Sequence, residues 1–203
     1  AKIGVEGATG TKLISISGNV KRPGNYEVEL GTPARGLIYG LAGGIEDDHE
    51  LKLWFPGGSS SPVLLPEDLD VPYDFNSLAA KKTMLGSGAI IVVDERTSVV
   101  DVALWLAQFY SHESCGKCSP CREGTTWTRK MLTRIRTGIA TPMDLDILAS
   151  VQQNILGNCL CPLGDAMAMP VSSLVHKFRD EFEQHLEQAR VAASFPAEMD
   201  ALA

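Results

Sequence analysis

The sequence predicts an α+β chain in two parts: a small β-grasp sheet with one helix packed across it, then an all-α bundle of four helices. Two observations carry this prediction. Upstream of Thr97 the apolar residues come in short alternating runs punctuated by glycine and proline, whereas downstream they recur at intervals of three and four. The upstream runs also fall in the order strand, strand, helix, strand, strand, which is the order a β-grasp requires.

Leu13 to Ser17 reads as an amphipathic strand ended by Gly18, Lys21-Arg22-Pro23-Gly24 as a turn, and Tyr26 to Leu30 as the partner strand of a hairpin. Thr32-Pro33 offers an N-cap with proline at the first helical position. Leu37, Ile38 and Leu41 would form the apolar face of the helix that follows, and Gly43-Gly44 would stop it. Leu51 to Phe55 and Pro62 to Leu65 bracket a Gly57-Gly58 turn, and Ala89 to Val93 has the continuous apolar character of a buried strand.

Beyond Thr97, the residues Val99, Val100, Ala103, Leu104, Leu106, Ala107 and Tyr110 make a broad stripe that predicts a helix. Ser119-Pro120 starts a second helix with Trp127, Met131 and Ile135 expected inside and Gly138 at its end. Thr141-Pro142 starts a third that buries Leu145, Leu148, Val151 and Ile155 and stops at Gly157. A loop over Asn158 to Pro170 should lead into a last helix from Val171 to Ala192, with Leu174, Phe178, Phe182 and Leu186 facing in.

Composition narrows the function. With 203 residues, 44% hydrophobic and 21% charged, the chain is long enough for one or two domains that stabilise themselves by core burial. A net charge of −7 argues against a phosphate-binding face for nucleic acid. No apolar run reaches the roughly 18 residues of a membrane span, and no basic segment leads into an apolar one at the start. The expectation is a soluble chain in a reducing compartment, with room for a peripheral place in a membrane complex. Gly4, Gly7 and Gly10 form a G-x-x-G-x-x-G without a preceding strand, and read as a linker rather than a phosphate loop.

The chemistry centres on Glu113 to Gly124, ESCGKCSPCREG. It places Cys115, Cys118 and Cys121 at two successive C-x-x-C intervals, and Cys161-Pro162 follows downstream. A 4Fe-4S cube takes four thiolates, one per iron corner, and a bent loop can wrap three of them around it. A straight helix would string residues 115 and 121 about 9 Å apart along its axis. Gly116 and Pro120 suit a bent loop, and Lys117 and Arg122 add positive charge beside an anionic centre. A structural zinc site is the alternative, although Cys159-Leu160-Cys161 is a C-x-C rather than a second knuckle. A redox dithiol would leave the third cysteine idle, and five cysteines are an odd number for a disulfide scaffold. His112 reads as a surface residue, and His49, His176 and His185 lack paired spacing. Asp165 reads as an N-cap, Met167 and Met169 as packing, and Asp180, Glu181, Glu183 and Glu187 as a wet helix face. Cys159 and Cys161 share one loop, so either sulfur is within reach as the fourth ligand. Pro162 favours Cys161, because a proline that follows a ligand cysteine helps turn the chain away from the cluster.

The runs ESCGKCSPCREG, CPLGDA, GTKLISISGNVKRPG and FPGGSSSP resemble the family of flavin- and NADH-binding 51 kDa subunits of respiratory complex I, with relatives in NAD-reducing hydrogenases and NAD-linked formate dehydrogenases. The resemblance covers residues 8 to 190. It implies that residues 1–9 join a preceding FMN and NADH domain and that residues 10–95 form a soluble-ligand-binding β-grasp (SLBB-like) domain. Residues 97–195 would then form an iron–sulfur helical bundle and residues 196–203 a tail. It also implies Cys115, Cys118, Cys121 and Cys161 as the ligands of a 4Fe-4S cluster that takes single electrons from FMN after NADH has reduced it. The glycine-rich FMN and NADH motifs have no counterpart here, so no flavin, nicotinamide or catalytic residue is carried over. The implied partners are the other subunits of a multi-subunit redox complex, including a neighbouring iron–sulfur subunit, and the implied location is the cytoplasmic side of the inner membrane.

Overall fold

The computed structural model describes residues 3 to 194, with side chains through residue 188. The tail expected at 196–203 lies outside the described residues. Contacts divide the chain into two compact units, Ala1–Ser98 and Val99–Ala203.

In the first unit a two-stranded hairpin, β1 (Gly4–Val5) with β2 (Ala8–Thr9), precedes a four-stranded sheet. Ala8 of this hairpin is buried, and just beyond it the Leu30 N–H donates to the Gly10 carbonyl at 3.1 Å. The sheet contains β3 (Thr11–Gly18), β4 (Gly24–Glu29), β5 (Leu51–Phe55) and β6 (Ala89–Asp94) in the order β4-β3-β6-β5. β3 and β4 pair antiparallel as the turn chemistry predicts, and β3 pairs parallel with β6 from Ser15↔Ala89 to Gly18↔Val92. Ile14 and Ile16 from β3, Ile90 and Val92 from β6, and Trp54 from β5 build the core of this unit.

Three expectations change here. Pro62 to Leu65 forms no strand, only a bridge in which Trp54 and Leu64 exchange hydrogen bonds of 3.0 and 2.8 Å. Pro62 lacks an N–H, and Pro66 turns the chain into a short 3₁₀ turn, Pro66–Asp68. The helix after the hairpin does not start at Pro33, which bridges Pro72, and its turn widens to a π-helix over Gly36–Leu41. That wider turn buries Leu37 and Ile38 but swings Leu41 outward. Finally, α1 (Phe75–Ala80) adds a helix that the sequence pattern does not show. Asp74 caps it by accepting the Ser77 N–H at 2.8 Å, a D-x-x-S signal in a stretch too short to show a period.

Among the described residues the second unit has five helices rather than four: α2 (Val99–Glu113), α3 (Ser119–Arg136), α4 (Pro142–Ile155), α5 (Leu163–Lys177) and α6 (Arg179–Ser194). The expected loop of Asn158 to Pro170 closes early and α5 begins at Leu163. Pro170 is accommodated inside α5, and the single last helix divides at Phe178. On α3 the expected stripe is rotated. Trp127 is half exposed, while Thr125, Thr128, Leu132 and Ile135 are fully buried. The threonines can face inward because their hydroxyls find partners: Gln152 Nε2 donates to Thr128 Oγ1 at 2.7 Å, tying α4 to α3. Glu181 is no solvated carboxylate either, since its Oε1 accepts the Val99 N–H at 2.8 Å and caps the start of α2.

The start of α4 carries a prediction. The Asp144 carboxylate accepts the Thr141 N–H at 2.7 Å and the Thr141 hydroxyl at 2.8 Å, with Arg134 3.5 Å away. The backbone hydrogen bond from Thr141 is the main cause that holds its carboxyl below the usual carboxylate range. Asp144→Ala should cost about 1 to 2 kcal/mol at neutral pH. A carboxyl depressed in the folded state stabilises fully above its unfolded pKa of about 3.9, and the contribution is lost as pH falls through the folded value. Urea unfolding of both proteins at pH 7 and below pH 3 should therefore show the difference shrinking in acid, and a difference that grows there would contradict the assignment.

Candidate metal centre

Two connections of the helical unit carry the cysteines. The first leaves α2 at Glu113 and enters α3. Cys115 is exposed on it, Cys118 is half-buried at the N-cap of α3 in extended conformation, and Cys121 is buried. The three thiols are thus not all on a loop, because Cys121 lies inside the first turn of α3, where Pro120 is tolerated since its missing N–H has no helical partner to lose. Gly116 takes φ +76, the left-handed bend that lets the chain reverse between Cys115 and Cys118. Arg122 holds that bend: its Nη1 donates to the Gly116 carbonyl at 2.8 Å, its Nη2 to Ser119 Oγ at 3.4 Å, and its Nε to Glu123 at 2.9 Å.

The second connection, between α4 and α5, carries half-buried Cys159 and exposed Cys161. Asp165 does not cap α5 through its own turn. Its Oδ1 accepts the Gly157 N–H at 2.9 Å and so fastens the two ends of this connection. The Leu160 N–H then donates to Cys118 Sγ at 3.3 Å, which joins one cysteine segment to the other. Close packing beneath both requires glycine. A Cβ on Gly164 would meet Cys159 Sγ at 2.7 Å and Cys121 Cβ at 3.6 Å, and one on Gly124 would meet Ile155 at 2.6 Å.

The structure brings Cys118, Cys121 and Cys159 into one neighbourhood. Burial pushes the Cys159 thiol up, and the charges of Cys121, Cys118 and Asp165 add to the effect. The Cys159 thiol donates to the Ile155 carbonyl at 3.7 Å. Cys115 and Cys161 are exposed, and His112 is exposed beside Glu113. Among the described residues, no three His, Cys, Asp or Glu side chains converge as they would around a single ion. A four-iron cube asks for something different, since each thiolate meets its own iron corner rather than a common point. The donor set fits such a group: all five cysteines are free thiols, they lie on two joined segments, and a backbone N–H already points at one sulfur. Sequence reasoning missed Leu160, Gly164 and Ser114, whose Oγ lies 3.3 Å from Cys121 Sγ. Only the adjacency of Ser114 to the first cysteine and of Leu160 to the last marked them.

Comparison with known proteins gives this centre its class. Residues 101–185 match the NADH-ubiquinone oxidoreductase-F iron-sulfur binding region and residues 13–64 match the SLBB domain, so the chain carries an SLBB module followed by an iron–sulfur module of the 4Fe-4S kind. Its residues 101–185 are thus similar to the iron–sulfur region of the NADH-quinone oxidoreductase F subunits. It is 47% identical over 185 residues to the F subunit of the Mycobacterium tuberculosis NADH-quinone oxidoreductase, covering 91% of this chain and 41% of that protein. It is 45% identical over 184 residues to the F subunit of the Streptomyces coelicolor enzyme, with the same coverage of 91% and 41%. A chain of an NAD+-reducing [NiFe]-hydrogenase in the H2-reduced state superposes with a TM-score of 0.80 at 30% identity, over 91% of this chain and 31% of that one. The chain thus spans about two-fifths of the length of the curated relatives it matches. None of its described helices is long and apolar enough to cross a membrane.

Proposed function

We propose that this chain is the electron-transfer module of an NADH-oxidising flavin subunit, in which single electrons pass from FMN to a 4Fe-4S cluster and on to the next carrier. The cluster would be held by Cys115, Cys118, Cys121 and Cys161. The observation that carries the reading is the bond between the two cysteine segments, Leu160 N–H to Cys118 Sγ, inside the region that matches the iron–sulfur family. When bound, the cluster supplies a one-electron store.

The chain's own residues hold and shield that store. Arg122 fixes the bend at Gly116 and keeps a positive charge beside it. Burial of Cys121 between helices keeps water from that sulfur. FMN and NADH would sit on a further domain of the longer subunit, which residues 1–9 would join to an SLBB-like domain over 10–95 and an iron–sulfur bundle over 97–195. Four of the helices, α2 to α5, would make the four-helix core of that bundle, with the thiols entering on the second and the fourth. The partners would be other subunits of a redox complex, including a neighbouring iron–sulfur subunit, at the cytoplasmic face of the inner membrane.

Metal analysis with EPR tests this reading. The loaded protein should contain about four irons and four acid-labile sulfides per chain, and dithionite should bring up a signal from one paramagnetic cluster. One zinc, no iron and EPR silence after dithionite would turn the assignment to a zinc-stapled domain. The chain without an added flavin protein should not reduce ferricyanide with NADH, and a substantial rate would overturn the division of labour.

A further inference from the structure

Ser114 sits between the last residue of α2 and the first cysteine, and its place is set by the helix. Its N–H donates to the Tyr110 carbonyl at 3.1 Å, one more turn of α2 hydrogen bonding, and Tyr110 is itself buried. From there the hydroxyl reaches across to α3, 3.3 Å from Cys121 Sγ, and accepts the Gly116 N–H at 3.4 Å. The Gly116 N–H occupies one lone pair of the oxygen and leaves the hydroxyl proton free to turn elsewhere. A cysteine that ligates iron is a thiolate and has no proton to give, so in the loaded protein only the serine can be the donor. Cys121 is 7% exposed, which leaves little water to compete for its sulfur.

We propose that Ser114 is a positioning residue of the electron-transfer site, whose hydroxyl donates to the Cys121 sulfur and thereby raises the site's affinity for an electron. The inference rests on the 4Fe-4S reading given above. Reduction adds negative charge, and a hydrogen bond to a ligand sulfur strengthens with that charge, so the bond favours the reduced state. The Leu160 N–H on Cys118 acts in the same sense, but it is backbone and no side-chain substitution removes it. Ser114 is the sulfur-directed donor that a single side-chain change can delete.

The experiment is an EPR-monitored redox titration of the loaded protein with Ser114→Ala and Ser114→Thr. The alanine variant should keep its iron but lose about three- to tenfold in the ratio of reduced to oxidised cluster at a fixed poise, equal to about 28 to 59 mV for a one-electron couple. The threonine variant, which keeps the hydroxyl, should titrate with the wild type. An alanine variant with the wild-type midpoint, or a threonine variant shifted as far as alanine, overturns the proposal and leaves the cluster assignment standing. If the alanine variant does not retain iron, threonine decides: retention at the wild-type midpoint supports the proposal and loss of iron overturns it. A wild-type protein with no reducible iron is a different result, because it removes the cluster reading itself.

Discussion

Cys161→Ser should lose the cluster or convert it to a three-iron form, while Cys159→Ser should leave iron content and the reduced EPR signal nearly intact. The two thiols lie two residues apart on one connection, yet their surroundings differ. Cys159 is half-buried, bonded to the Ile155 carbonyl and packed against the Cα of Gly164, where a Cβ would come within 2.7 Å of its sulfur. Its thiol is engaged with the base of the site, like the small buried hydrophobes among which free cysteine is commonly found. Cys161 is exposed, ahead of Pro162 and the first turn of α5. A hard alkoxide at position 161 is a poor substitute for thiolate at an iron corner, so the expected loss is most of the iron or one corner of the cube. Iron quantification and EPR of both variants check this. If Cys159→Ser strips the iron and Cys161→Ser does not, the fourth ligand is misassigned while the cluster reading survives.

Gly18→Ala should destabilise the first unit by about 3 to 5 kcal/mol, among the largest effects a methyl group can have. Gly18 closes β3 at φ +87, and a Cβ there would lie 2.0 Å from the Val92 carbonyl oxygen and 2.8 Å from the Val92 nitrogen. That carbonyl also accepts the Asn19 N–H at 2.9 Å, so a shift that relieved the clash would break the bond. Gly10→Ala is the control: it has φ +98 but nothing within 4 Å of the added methyl, and should cost only backbone strain of about 1 to 3 kcal/mol. At 4 to 8 °C per kcal/mol for a unit of this size, Gly18→Ala should lower the melting temperature by roughly 12 °C or more. Equal losses for the two variants would show that the contact with β6 contributes nothing.

Period and punctuation make much of this architecture legible. β3, β4, β5 and β6 lie where alternation and turn residues place them, and α2, α3 and α4 begin close to their Ser-Pro, Thr-Pro or apolar signals. The failures share a cause. Pro170 looks like a helix breaker, so α5 hides in an apparent loop, and Trp127 looks like a core residue, which shifts the expected buried face of α3 one step away from its threonines. In each case a tertiary contact outweighs a local preference. The same limit applies at the site. The thiol spacing is visible in the sequence, whereas the bonds of Ser114 and Leu160 to sulfur depend on how α2, α3 and α5 meet.

The parallel pairing of β3 with β6 also fixes an order of events during synthesis. The hairpin of β3 and β4 is local and can form soon after Glu29 leaves the ribosome, but Ser15 and Ile16 have no second neighbour until Ala89 and Ile90 have emerged. Until then the inner edge of β3 presents unpaired N–H and C=O groups, the condition under which nascent strands associate with the wrong partner. The four-stranded sheet therefore closes late, in a step limited by long-range contact.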